Sequence, residues 1–138
     1  MKEKLTINEP AEVKAPGVTV LGVKPLKIPL GEFTRKATLV KSSSRYEVYD
    51  LSLENLVVSM TILYEGESTV GHSHNATEEA YLFVEGKGEI ELDGRKRENV
   101  ANGDIITIPH GAFHRVFNTG KGNLKFICIF EKYQSRER

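Results

Sequence analysis

The sequence predicts an all-β fold built from short strands. Two stretches have the period of two that is typical of strands. Residues 79–85 alternate one set, Glu79, Tyr81, Phe83 and Glu85, with the smaller or aliphatic Ala80, Leu82 and Val84, and residues 56–64 divide into two faces in the same way. Turn-forming residues separate these stretches, and Asp93-Gly94 is a strong signal for a tight hairpin turn. The chain shows no apolar spacing that demands a long helix. We therefore expect strands joined by turns.

Length and composition limit the function classes. A chain of 138 residues is long enough for one domain with its own core. Lys and Arg number 19 and Asp and Glu also number 19, which argues against a nucleic-acid-binding protein. Apolar runs are too short for a membrane span, and we expect the cytoplasm since no secretory signal is visible. Cys128 is the single cysteine, which we expect to be a buried, unreactive thiol.

Three segments divide the chain. Residues 1–30 carry four of the five prolines and predict an extended N-terminal arm, with short strands at 18–23 and 26–30. Residues 31–132 predict the folded domain, and the polar residues 133–138 predict a frayed tail. Near the start of the domain lies a basic group that attracts an anionic substrate or forms a solvated surface: Arg35, Lys36, Lys41 and Arg45.

Two histidines are spaced to face one side of a strand. His72 and His74 stand at positions i and i+2, so their imidazoles project together. The polar residues that follow predict a turn, after which a strand begins at Glu79. Glu79 is therefore the better ligand candidate, because its neighbour Glu78 faces the other way. Two imidazoles and a returning carboxylate suit a single metal ion.

A second stretch supplies another histidine. Gly103-Asp104 predicts a turn that leads into a strand at 105–108. Proline cannot donate to a strand ladder and Gly111 tolerates a positive φ, so residues 109–111 predict a corner that aims His114 inward. His110 lies at the corner itself, and we expect it to be exposed.

These two stretches resemble the paired motifs of the cupin superfamily. The pattern G-x5-H-x-H-x4-E-x6-G is met by Gly66, His72, His74, Glu79 and Gly86. The pattern G-x5-P-x-G-x2-H-x3-N is met by Gly103, Pro109, Gly111, His114 and Asn118. The resemblance implies a single jelly-roll β-barrel with an extended arm. It also implies four metal ligands: His72, His74, Glu79 and His114.

A narrower resemblance is to the archaeal-type cupin glucose-6-phosphate isomerases. It is carried by Thr61-Ile-Leu-Tyr-Glu-Gly66, Thr69-Val-Gly-His-Ser-His74, Glu79-Ala-Tyr81 and Gly86-Lys-Gly88. That likeness implies phosphate binding by Thr61, Thr69 and Gly71, sugar contacts from Tyr81, and proton transfer by Glu79 with Tyr81 nearby. The loop after His74 and the C-terminal region are shorter here than in that family, which weakens the phosphate site.

The leading hypothesis is a metal-dependent sugar-phosphate isomerase with one divalent transition metal per chain. Ligand types alone do not separate Fe, Mn, Ni, Zn or Cu. Two alternatives stay open. One is an iron-dependent dioxygenase or related oxidoreductase, and the other is a barrel that binds a small molecule without catalysis. Histidines kept as polar core residues in a metal-free barrel are a further interpretation. In cupin relatives such arms pair with a second subunit, so we expect a homodimer with a small-molecule substrate.

Overall fold

The computed structural model describes residues 24–73, 77–94 and 96–132. A 3-10 helix spans Leu30–Glu32, and one turn of α-helix, α1, spans Phe33–Lys36. Nine strands follow: β1 Thr38–Ser42, β2 Tyr46–Ser52, β3 Leu56–Leu63, β4 Glu79–Glu85, β5 Lys87–Leu92, β6 Glu98–Ala101, β7 Ile105–Ile108, β8 His114–Asn118 and β9 Leu124–Glu131. The predicted strand at 18–23 and the tail at 133–138 lie outside the described residues.

The strands form two antiparallel sheets, which confirms the all-β prediction. The larger sheet has the order β1-β2-β3-β9-β4-β7, and the smaller has the order β6-β5-β8. Strands that are distant in sequence, such as β3 and β9, pair along their full length. Chain crossovers of this kind bring the two motif stretches, in β4 and β8, to facing sheets of one barrel.

The expected strands at 105–108 and 124–131 have the predicted bounds. The expected strand at 26–30 is wrong, because residues 25–29 have no strand pairing and residue 30 opens the 3-10 helix. Pro25 and Pro29 explain this result, since neither has an N–H group for a ladder. Ile28 packs instead against the outer face of the larger sheet.

The Asp93-Gly94 turn is present, with φ angles of 53° and 68° that suit a tight hairpin. The β5–β6 ladder nevertheless starts only at the Ile90–Glu98 pair, so the connection is longer than the two residues predicted. Asp93 explains the difference. Its N–H donates to the Phe113 carbonyl over 2.8 Å, and its Oδ1 accepts from the Phe113 N–H over 3.0 Å. The end of β5 is therefore paired with β8 and not with β6.

The main core lies between the two sheets. Its central side chains include Phe83, Leu63, Ile90 and Leu124, each with 0% of its surface exposed. A second cluster covers the outer face of the larger sheet, where Phe33 of α1 packs among residues of β2, β3 and β9. Within the part of the chain that is described, no helix is long and apolar enough to cross a membrane.

On this outer face, Glu47 accepts hydrogen bonds from two tyrosines. The hydroxyl groups of Tyr49 and Tyr64 each donate to one carboxylate oxygen over 2.5 Å. Burial, this hydrogen bond and the Glu47 charge raise the pKa of Tyr64 to about 12. The same causes raise the pKa of Tyr49. Both hydroxyls therefore stay protonated in the folded chain at pH values where free tyrosine ionises.

A pKa raised by folding predicts a loss of stability in alkali. The contribution of Tyr64 is fully present below the unfolded pKa near 10 and is lost as the pH rises towards about 12. We expect the free energy of unfolding, measured by urea titration, to fall more steeply above pH 10 in the wild type than in Tyr64→Phe. Equal slopes for the two proteins would contradict this assignment.

Candidate metal centre and adjoining cavity

The two motif stretches meet at a backbone bridge between His72 and His114. The His72 N–H donates to the His114 carbonyl over 3.2 Å, and the reverse hydrogen bond measures 3.0 Å. Residues directly opposite in such a bridge carry their side chains on the same side. The two imidazole rings accordingly lie edge to face, with centroids 4.4 Å apart.

Glu79 approaches these rings from the opposite sheet. It is the first residue of β4 and only 5% of its surface is exposed, while the neighbouring Glu78 is exposed. Glu79 Oε1 lies 3.7 Å from His114 Nε2. One ligand atom from each of His72, Glu79 and His114 lies within 4.8 Å of the other two. His74, the fourth predicted ligand, lies outside the described residues.

The donor set and its spacing fit a divalent transition metal. Ligands about 2.1 Å from one ion in a tetrahedral or octahedral shell lie about 3.0–3.5 Å apart. Glu79 Oε1 and His114 Nε2, 3.7 Å apart, are already close to that spacing, and the whole cluster, with its atoms within 4.8 Å of one another, would contract around an ion. His114 Nδ1 lies 3.1 Å from the Ala112 carbonyl oxygen, which requires the hydrogen on Nδ1. Nε2, the atom facing Glu79, is then the basic nitrogen that metals prefer. Two imidazoles and a carboxylate would hold the ion.

Cys128 supports the carboxylate from the neighbouring strand. Its thiol donates to Glu79 Oε1 over 3.3 Å, and both residues are buried. The β4–β9 register explains the contact: Tyr81 pairs with Cys128, so Glu79 is its diagonal neighbour on the same face. The prediction of a buried thiol is confirmed, and its contact with a candidate ligand was not foreseen.

A cavity of about 90 Å³ adjoins the cluster. His72 and Tyr81 form part of its wall, beside hydroxyl groups from β2, β3 and the segment before His72. The full lining is Lys41, Tyr46, Val48, Ser59, Thr61, Thr69, Val70, His72, Tyr81, Phe126 and Cys128. Among the described residues that line the cavity, Lys41 is the only one with an ammonium group. The wall of the cavity therefore combines polar and apolar side chains.

Of the residues predicted to bind substrate, Thr61, Thr69 and Tyr81 line this cavity. Thr69 Oγ1 accepts the Val116 N–H over 3.0 Å, which fixes the threonine side chain and leaves its hydroxyl hydrogen able to donate. Tyr81 is 4% exposed, and its ring stacks on Phe126 at 5.2 Å between centroids. These contacts hold the side chains in place.

Gly71 is placed differently. A Cβ atom added there would lie 2.1 Å from Cζ of Phe113, so the aromatic ring covers the glycine backbone closely. Gly71 is absent from the described lining of the cavity. Its role in phosphate binding stays a prediction, while close packing against Phe113 is a reason for glycine that the structure supplies. His110 is exposed, as expected.

Tyr46 and Ser59 line the cavity without having been predicted as site residues. Ser59 had a visible signal, because it shares the inward face of β3 with Thr61, and two hydroxyls on one core face are unusual. The sequence signal at Tyr46 was weaker: it is a buried tyrosine, and the hydroxyl of a buried tyrosine needs a hydrogen-bond partner. Lys41 was predicted only as a member of the basic group, and its place in the cavity wall depends on the strand register of β1.

Comparisons with known proteins agree with this geometry. A family model described as "Cupin domain" matches residues 59–130. An uncharacterised protein of Methanocaldococcus jannaschii is 32% identical over 95 residues, which cover 69% of this chain and 74% of the relative. The residues that the family model matches, 59–130, contain both motifs and nearly all of strands β3 to β9.

Two solved structures share the fold. A predicted oxalate decarboxylase from Thermotoga maritima has a TM-score of 0.64 at 21% identity, over 72% of this chain and 96% of its own. A candidate sugar phosphate isomerase from Acidithiobacillus ferrooxidans has a TM-score of 0.56 at 24% identity, over 63% of this chain and 60% of its own. Family match, sequence relative and barrel topology agree, and the chain belongs to the cupin family.

Proposed function

We propose that this cupin is a metal-dependent enzyme of the isomerase type that acts on a small sugar phosphate or a similar polar metabolite. The observation that carries the proposal is the cluster of His72, Glu79 and His114 beside a hydroxyl-lined cavity. His74 is the fourth proposed ligand, from its place in the motif. A divalent ion held there would polarise a carbonyl or hydroxyl oxygen of the substrate.

The surrounding side chains suit proton transfer between neighbouring carbons. Glu79 is a buried carboxylate that accepts a hydrogen bond from Cys128 of the cavity wall, and we propose that it carries the proton. Tyr81 lines the same cavity and is held by Phe126, so we propose that it orients a substrate hydroxyl. Thr61 and Thr69 supply further hydroxyl groups along the wall.

The cavity volume limits the part of the substrate that enters. About 90 Å³ corresponds to roughly three water molecules. We propose that the reacting end of a sugar phosphate enters and that the remainder extends through the open side. The same volume favours a second candidate, the decarboxylation of a short dicarboxylic acid, because such a molecule fits whole.

One experiment tests both candidates. The chain is loaded in turn with Fe, Mn, Ni, Zn or Cu and incubated in D₂O with sugar phosphates of three to six carbons and with oxalate, and products are followed by NMR. We expect aldose and ketose phosphates to interconvert with deuterium entering from the solvent, and chelation to abolish turnover. Formate from oxalate would support the second candidate instead.

Two results would overturn the isomerase proposal, and a third would exclude only its proposed proton-transfer route. Oxygen uptake that requires ferrous iron would identify a dioxygenase. Tight binding of a sugar phosphate without turnover by any metal form would identify a binding barrel. Isomerisation without deuterium entering from the solvent would exclude proton transfer through an enediol exchanging with solvent.

The subunit number and the cellular location also stay proposals. A homodimer is supported by apolar side chains on the outer face of the larger sheet, where Leu82, Ile105 and Ile129 are 38%, 67% and 42% exposed. Leu82 pairs with Ile105 in the β4–β7 register, so these two lie side by side. Analytical ultracentrifugation of the full chain tests the proposal, and a monomer at all concentrations would exclude it. The cytoplasm remains the expected location.

A further inference from the structure

Lys41 lies on the inner wall of the barrel because of a break in strand register. In the β1–β2 ladder, Leu39 pairs with Tyr49, but Lys41 pairs with Val48, so one extra residue, Val40, is inserted in β1. Val48 faces the core and Tyr49 faces the outer cluster. Residues paired across strands share a face, and the bulge therefore turns Lys41 inward.

A regular ladder would give the opposite result. Without the inserted residue, Val40 would pair with Val48, and Lys41 would pair with Glu47 on the outer face, where the two side chains have opposite charges. The fold forgoes that favourable pair and places the ammonium group in the cavity wall. Bulges that re-aim a side chain are common beside functional sites, which makes Lys41 a candidate for ligand binding.

The surroundings of Lys41 suit an anion. Its Nζ lies 5.7 Å from the centre of the Tyr46 ring, a cation–π distance that holds the ammonium group against the cavity wall. The described residues of the lining include no carboxylate. Two nearby cations have backbone partners, since Arg115 Nε donates to the Thr69 carbonyl over 3.0 Å and Arg45 Nη1 lies 3.5 Å from the Ser68 carbonyl.

We infer that the ligand of this cavity is a small anion whose phosphate or carboxylate group binds Lys41, with the hydroxyls of Thr61 and Thr69 as further donors. Anion binding at Lys41 does not depend on the proposed function. Only the statement that the bound anion is also the substrate rests on it. Lys41 favours anionic ligands over neutral sugars, because a neutral sugar offers this half-buried side chain no counter-charge.

The test measures anion binding without turnover. Isothermal titration of metal-loaded and metal-free protein with inorganic phosphate, and separately with oxalate, gives dissociation constants for the wild type, Lys41→Gln and Lys41→Arg. We expect Lys41→Gln to weaken the preferred anion about 10- to 100-fold, because a hydrogen bond to a charged group is lost. We expect Lys41→Arg to retain most of the affinity. The tighter of the two anions identifies the group that the site recognises.

Lys36→Gln is the matched control. Lys36 belongs to the same basic group in sequence, but it is exposed on α1 and lies outside the described cavity lining, so this variant removes the same charge from the solvated surface. We expect anion affinity in this variant and metal content in all variants to equal the wild-type values. Equal affinity in Lys41→Gln and the wild type, or equal losses in Lys41→Gln and Lys36→Gln, would overturn the inference. Binding by metal-loaded protein alone, unchanged in Lys41→Gln, would place the anion on the metal and overturn it too. Failure of catalysis with intact anion binding would count against the proposed function alone.

Discussion

Glu79→Gln is expected to lower the affinity of the chain for a divalent transition metal by at least about 100-fold. Loss of an outer-shell partner of a metal ligand alone costs about 10- to 100-fold, and Glu79 is proposed as a ligand itself. The glutamine side chain has nearly the same shape but no negative charge, and Glu79 provides the only carboxylate in the described cluster. Competition with a chromophoric chelator measures the change directly.

The chain contains a matched control for this experiment. Glu78→Gln removes the same charge one residue earlier, on an exposed side chain that points away from the cluster. We expect wild-type metal affinity in this variant. Unchanged metal affinity in Glu79→Gln would remove Glu79 from the proposed ligand set. Equal losses of metal affinity in both variants would mean that the change in net charge alone explains the effect. His74→Ala applies the same assay to the ligand that the motif alone supplies.

Stability provides a second readout of the same change. A metal that binds only the folded chain raises the free energy of unfolding by about 4 kcal/mol when its concentration is 1,000 times the dissociation constant. We expect the addition of metal to raise the melting temperature of the wild type and of Glu78→Gln, and to raise that of Glu79→Gln much less, because a 100-fold weaker site contributes only about 1.4 kcal/mol at the same metal concentration.

The strands were predictable where local pattern and tertiary structure agree. In β4, alternation puts Glu79, Tyr81 and Phe83 on one face, and all three are buried in the barrel. The corner before β8 was also predictable, because Pro109 and Gly111 restrict the backbone there in ways that sequence reveals. The positions of β7 and β9 followed from the same kind of local signal.

Features that depend on pairing between distant strands could not be predicted. Lys41 faces the cavity only because β1 gains a residue relative to β2, and nothing in the local pattern of β1 indicates that shift. The contact of Cys128 with Glu79 depends on the β4–β9 register across 49 residues of chain. The short helix α1 forms where Phe33 can pack on the outer face of the larger sheet. This stabilising contact exists only after the sheet has formed.

Phe83→Ala is expected to destabilise the folded chain by about 3–5 kcal/mol, as is usual when a buried aromatic side chain is truncated. The ring is 0% exposed, and its centroid lies 5.1 Å from Phe126 and 6.4 Å from Tyr81. Both neighbours line the cavity, so a void at Phe83 would also loosen its wall. Urea unfolding followed by circular dichroism measures the loss, and Phe83→Leu gives a smaller loss in a variant that retains most of the volume.

Leu82→Ala is the control for that core effect. Leu82 is the preceding residue of β4, but its side chain lies on the outer face and is 38% exposed. We expect a loss of about 1 kcal/mol or less, because partial exposure reduces both the apolar area removed from water and the void that is left. Similar losses at Leu82 and Phe83 would mean that the outer face is as tightly packed as the core. That result would imply that a second subunit covers Leu82 in solution, because the isolated barrel leaves this side chain exposed to water.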